Sequence, residues 1–143
     1  TKVQHVVAEK EASHFIIGYR FSPEEIEEPG IRFEDTMFLL NTLAEYEPDY
    51  FHISANSYQR TSIVNQEDTE PLINKYIKMQ SAQLAKIPLI GVGSIAQRQD
   101  AEHALELGYD LLSGGKAYLV EPQWPDKISQ NEEVEQFVDI HDQ

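Results

Sequence analysis

The stretch Ile-Pro-Leu-Ile-Gly-Val-Gly at residues 87–93, with Ser94 and Ile95 after it, constrains this chain more than any other. A short apolar run with β-branched residues and a terminal glycine reads as a parallel strand buried on both faces. Such a strand delivers bare backbone N–H groups at its carboxyl end, and bare N–H groups there suit an anion. The next short run, residues 111–113, ends in Gly114, Gly115 and Lys116. Two neighbouring strand ends of this kind surround one phosphate from two sides.

The rest of the chain repeats the alternation. Residues 3–12 carry Val3, Val6, Val7 and Ala8 at helical spacing. Residues 15–21 (Phe-Ile-Ile-Gly-Tyr-Arg-Phe) read as a strand stopped by Ser22 and Pro23. A loop over 24–30 leads to a helix over 33–46, with Phe33, Met37, Leu40, Leu43 and Ala44 on one face and Glu34 and Asp35 in its first turn. Residues 50–55 form the second strand, and 56–69, polar and without period, a long loop of the functional type. The spacing then predicts a helix over 70–84, a strand over 88–92, a helix over 97–107 closed by Gly108, a strand over 111–113 and a helix over 117–120. In the remainder, Trp124, Ile128, Val134, Phe137 and Val138 are the candidate docking residues, and the last few residues are expected to be loose.

Strand and helix in strict alternation demand parallel pairing with right-handed crossovers, an α/β fold. In eight-stranded βα barrels the common phosphate site lies after strands seven and eight, and a whole barrel takes about 250 residues. At 143 residues the chain is one domain of about four βα units, the second half of a TIM barrel. A half-barrel leaves an inner face to cover, so the expectation is pairing with the missing amino-terminal half, a homodimer, or an open sandwich of the flavodoxin kind.

Charge narrows the partners. With 25 acidic residues against 11 Lys and Arg, net −14, the surface repels a nucleic-acid backbone. No apolar run reaches the roughly 20 residues of a membrane span, and no signal segment opens the chain. With no cysteine, thiolate chemistry, disulfides and cysteine zinc sites are excluded, in keeping with a cytoplasmic protein acting on a small molecule.

The few cations are therefore informative. Arg20 closes an apolar strand, where a guanidinium is costly unless it meets an anion, a polarised carbonyl or, as the plain alternative, an acid on a neighbouring strand. Lys116 offers a point charge and Ser94 a hydroxyl beside the two glycine turns. His52 and Ser54 share a strand face near Asn56 and Arg60. No acid is placed to orient the imidazole and no nucleophile elbow is present, so His52 is read as a satisfied structural histidine. The other histidines lack metal-ligand spacing. Tyr58 and Tyr76 are read as packing residues, the acids of 24–28 as a solvated loop, and no catalytic residue is assigned.

Taken together, Gly18-Tyr19-Arg20-Phe21-Ser22-Pro23-Glu24, Asp49-Tyr50-Phe51-His52-Ile53-Ser54, residues 88–95 and Asp110-Leu111-Leu112-Ser113-Gly114-Gly115-Lys116 resemble the second half of the old yellow enzyme family, in its bacterial NADH-dependent flavin oxidoreductase branch. The resemblance implies a TIM barrel holding FMN, reduced by NADH or NADPH and reoxidised by an electron-poor alkene. It implies that Arg20 faces the N1 and C2-carbonyl side of the flavin ring, where negative charge collects on reduction. It further implies that Gly93 and Ser94, with Gly115 and Lys116, hold the FMN phosphate. The family usually has a second glycine where Ser94 stands and an arginine where Lys116 stands, a change that keeps the charge and loses the bidentate fork. The early half of the barrel supplies the substrate-holding pair and the proton-donating tyrosine, so the isolated chain is expected to be inactive. The alternatives are a non-redox phosphate-binding barrel and a non-catalytic α/β interaction module.

Overall fold

A computed structural model describes residues 1–132. Four strands, β1 (Gly18–Phe21), β2 (Tyr50–Ile53), β3 (Leu89–Val92) and β4 (Leu111–Ser113), form one sheet in the order β1-β2-β3-β4, every pair parallel. Between and around them lie the helices α1 (Lys2–Glu9), α2 (Phe33–Ala44), α3 (Leu72–Met79), α4 (Arg98–Leu107), α5 (Lys116–Val120) and α6 (Trp124–Ser129). Strands that follow one another in space as in sequence, joined by right-handed crossovers, put their helices on one side. That is barrel topology. The open flavodoxin-like sandwich requires the strand order to reverse, so the observed order rules it out.

Side-chain alternation gives the two faces of the sheet different work. Phe21, Phe51, Ile53 and Leu89 are buried, together with Met37, Leu40 and Ala44 of α2 and Leu72, Ile73 and Tyr76 of α3. Each large apolar side chain removed from water in this layer contributes about 1.5–3 kcal/mol. The register aligns Arg20 with His52, His52 with Ile90 and Ile90 with Leu111 on the opposite face, which is half-buried or exposed. Gly91 belongs to the buried face, where a Cβ would sit 2.6 Å from the Tyr109 ring.

Three element expectations change. Residues 15–17 are not strand: Phe15 and Ile16 are 62% and 69% exposed, and only Ile17 is tied, through its N–H and carbonyl, to Asp49. The helix expected over 70–84 ends at Met79. Asn41 of α2 donates to the Met79 carbonyl and accepts from the Ser81 N–H, turning the chain there, and a 3₁₀ turn at Leu84–Lys86 follows. The acids of 24–28 are not all solvated, because Glu24 is buried. Trp124 is buried and Ile128 packs against the core, as expected; Val134, Phe137, Val138 and the expected loose end lie outside the described residues. Among the described residues no helix is long and apolar enough to cross a membrane.

Candidate active site at the carboxyl ends of the strands

Every strand ends toward the same rim, and two adjoining cavities open there. The larger, about 790 Å³, lies beyond β3 and β4 and is lined by Val92, Gly93, Ser94, Ser113, Gly114, Gly115 and Lys116, with Trp124 as one wall. The smaller, about 370 Å³, lies beyond β1 and β2 and is lined by Ser22, Ser54, Ala55, Asn56, Arg60 and Ile63. Ala55 and Asn56 border both. The structure thus gathers Gly93, Ser94, Gly115 and Lys116 around one cavity, while Arg20 stands at the neighbouring one through its bond to Ser54.

The β3 turn is tight for a reason visible in its contacts. Gly93 has φ +99°, and a Cβ there would lie 2.5 Å from the Asn56 carbonyl carbon and 2.6 Å from the Ser57 nitrogen. Its carbonyl accepts from the Tyr58 N–H at 3.0 Å. Ser94 follows at φ +57°, and its Oγ donates to the Asn56 carbonyl at 3.1 Å. The serine hydroxyl proton is therefore committed to the protein, and what Ser94 leaves open to an anion is its amide. The amides of Ser94, Gly115 and Lys116 donate to no described residue. Those of Ala96 and Gln97 are taken by the Asp100 carboxylate, the helix-capping acid in the cavity wall. Gly115 has nothing within 4 Å of a virtual Cβ, so its role there is not packing.

Among the described residues Arg20 meets no carboxylate. Its Nη2 donates to Ser54 Oγ at 3.2 Å, one strand over, and the salt bridge considered as an alternative is not formed. Beside it on the same face, His52 differs from the satisfied histidine expected. Its Nε2 is buried without a hydrogen-bond partner among the described residues. Burial, and secondarily the Arg20 charge, hold its pKa below the ordinary histidine value. Both effects favour the neutral imidazole over the charged form.

In sequence Glu24 reads as one of the solvated acids, and Arg60, named beside His52, Ser54 and Asn56, receives no role. The Glu24 carboxylate accepts from Ser62 Oγ at 2.9 and 3.1 Å and from the Ile63 N–H at 2.9 Å, pinning the long loop to the β1 turn. The Glu24 carbonyl takes Nη2 of Arg60 at 3.4 Å. Tyr58 is a packing residue, as expected, with its hydroxyl paired to Nδ1 of His103 at 3.2 Å. Tyr109 donates to the Tyr58 carbonyl at 2.8 Å from beneath, and burial pushes its pKa up to about 12.

Residues 1–135 match the model of the NADH:flavin oxidoreductase / NADH oxidase family. The chain belongs to that family. It is 60% identical over 142 residues to the NADH:acrylate oxidoreductase of Vibrio harveyi, covering 99% of this chain and 14% of that protein. It is 49% identical over 138 residues to the NADH:fumarate oxidoreductase of Klebsiella pneumoniae (strain 342), covering 96% of this chain and 15% of that protein. The chain therefore spans about one seventh of the length of these relatives. Morphinone reductase superposes with a TM-score of 0.60 at 16% identity, over 94% of this chain and 34% of that one. The likeness places four parallel βα units as part of a TIM barrel. FMN with NADH as reductant, expected from the sequence, is the pairing the family indicates.

Proposed function

We propose that this chain is the carboxyl-terminal half of the barrel of an FMN-dependent NADH oxidoreductase, and that it contributes the flavin phosphate cradle and a ring-facing arginine. The observation that carries the reading is the pairing of one cavity rimmed by free amides and Lys116 with a second anion-seeking group, Arg20, on the same rim. Strands about 4.8 Å apart put β1 roughly 10–14 Å from β3 and β4. That separation suits a ligand with a phosphate at one end and a charge-accepting ring at the other.

The residues present fit the group. Ser94, Gly115 and Lys116 offer N–H groups, and the Lys116 ammonium has no carboxylate partner among the described residues. Trp124 walls the cavity, with its Nε1–H on the Ala96 carbonyl at 2.8 Å. FMN, when bound, supplies the two-electron redox chemistry. Arg20, kept in place by Ser54, would favour the form with more negative charge on the ring. The substrate-facing groups and the other flavin contacts belong to the first half of the barrel, so turnover requires both halves; a cytoplasmic setting suits a reaction that draws on NADH.

FMN titration of the full barrel protein tests the reading. Lys116→Gln is expected to weaken FMN about 10-fold, the 1.4 kcal/mol of a charge-assisted contact, and Lys116→Arg to tighten it by restoring the fork. A full-length protein that carries no yellow chromophore and takes up no FMN would sink the assignment.

A further inference from the structure

The chain has 11 Lys and Arg residues, and five of them, Arg32, Lys75, Lys78, Arg98 and Lys127, sit in ion pairs. Of the six that form none among the described residues, Arg20, Arg60 and Lys116 all stand at the rim where the strands end. Two of these are absorbed by the flavin reading. Arg60 is not.

We propose that Arg60 and the cavity beside it form a second anion subsite, which takes the pyrophosphate of the nicotinamide dinucleotide donor. The inference rests on the flavoprotein reading above. Arg60 is half-buried, and its Nε is shielded from solvent with no hydrogen-bond partner among the described residues. The one acceptor for its side chain among the described residues is the Glu24 carbonyl at 3.4 Å, which leaves most of its five N–H donors without a partner among them. A half-buried guanidinium without a carboxylate is costly until an anion arrives. Hydroxyls of Ser22 and Ser54 and the side chain of Asn56 share the cavity wall, and all three are neutral donors.

The site is also held in place. Glu24 clamps Ser62 and Ile63 just downstream of Arg60, and the Arg60 carbonyl accepts from Leu72 N–H at 2.7 Å at the start of α3. A planar guanidinium presented from a pinned loop matches a phosphate oxygen pair better than a mobile lysine does. Its position, beyond Ser54 and so beside Arg20, puts it at the ring end of the rim, away from the β3–β4 cradle. A second dianionic group reaching that end is what a dinucleotide lying over the flavin ring brings. The two relatives match this stretch almost end to end, and their names share NADH while differing in the acceptor, acrylate or fumarate. Both acceptors carry a carboxylate, so the test has to separate the donor's pyrophosphate from an acceptor carboxylate.

The test uses the FMN-loaded full-length protein and ADP-ribose, which carries the pyrophosphate without the reactive ring, titrated calorimetrically. Arg60→Gln is expected to weaken ADP-ribose at least 10-fold and to raise KM for NADH in parallel, with FMN content and KM for the acceptor unaltered. Arg60→Lys should recover part of the loss. Ser22→Asp, an exposed change that leaves Arg60 and its anchors intact, should weaken ADP-ribose through added negative charge even if Arg60→Gln fails to fold. Unaltered ADP-ribose affinity in FMN-loaded variants, or a loss confined to the acceptor, overturns the subsite while leaving the flavoprotein reading in place. A wild-type protein without FMN overturns that reading instead.

Discussion

Replacing Gly93 by alanine probes the junction between the two cavities, and its cost can be worked from two separate terms. A side chain at φ +99° is strained by about 1–3 kcal/mol wherever it occurs. In addition, the new Cβ would lie 2.5–2.7 Å from the carbonyl carbon and oxygen of Asn56 and the nitrogen of Ser57, which are backbone atoms and cannot rotate away. Relieving that overlap moves the loop that donates the Tyr58 N–H to the Gly93 carbonyl and accepts the Ser94 Oγ hydrogen bond at Asn56, and such overpacking costs about 1–3 kcal/mol more. We expect Gly93→Ala to destabilise the protein by about 2–6 kcal/mol, combining both terms. Gly115→Ala is the control: φ is −126°, nothing lies within 4 Å, and stability should change by less than about 0.5 kcal/mol. Urea unfolding of both variants, followed by circular dichroism beside FMN titration, reads the difference. If Gly93→Ala and Gly115→Ala unfold at the same urea concentration, the close approach of the β2 loop to the β3 turn is wrong.

Two further outcomes follow from the site's charges. Arg20→Gln should lower the flavin midpoint potential by roughly 30–60 mV, the two-electron equivalent of losing one charge-assisted hydrogen bond, in a spectroelectrochemical titration; an unmoved potential would detach Arg20 from the ring. Lys75, hydrogen-bonded to Asp68, lowers that carboxyl's pKa from 3.8 and has its own raised from 10.5. A lowered carboxylate pKa contributes stability above its unfolded value and loses it as pH falls through the folded value. A raised lysine contributes below 10.5 and loses its share as pH rises past the folded value. Asp68→Asn should therefore flatten the acid limb of the urea midpoint below about pH 4 and leave the plateau between the limbs level; an unaltered acid limb would show that the pair does not couple to folding.

What was legible in the sequence is what short-range pattern encodes. The runs ending in Gly93 and Gly115 place β3 and β4 correctly because a buried parallel strand is apolar throughout and its turn needs glycine. Residues 15–17 carry the same signal, yet Phe15 and Ile16 are exposed, since composition does not say where a strand's pairing begins. The helix over 70–84 was over-extended because its end is set by Asn41, 38 residues upstream, whose amide holds Met79 and Ser81. Glu24 reads as a solvated acid and Arg60 receives no role for the same reason: neither charge shows its place until partners 36–39 residues away are known. Among the described residues His52 lacks a partner for Nε2, which its Tyr-Phe-His-Ile setting gives no means of foreseeing.

The bonds from Tyr58 N–H to Gly93, from Ser94 Oγ to Asn56 and from Tyr109 to Tyr58 sew the root of one connecting segment onto the base of the next. That segment therefore has a stitched hem and, past the Glu24 clamp, a brim that lies outside those stitches. Lengthening it by a residue near position 57 would unpick the seam and misalign both hollows at once, whereas extra residues near Gln66, beyond the Glu24 clamp, would leave them in step. Diversification of what passes over the rim is thus channelled to the brim, and the distance between the two anion-seeking ends stays fixed as on a gauge.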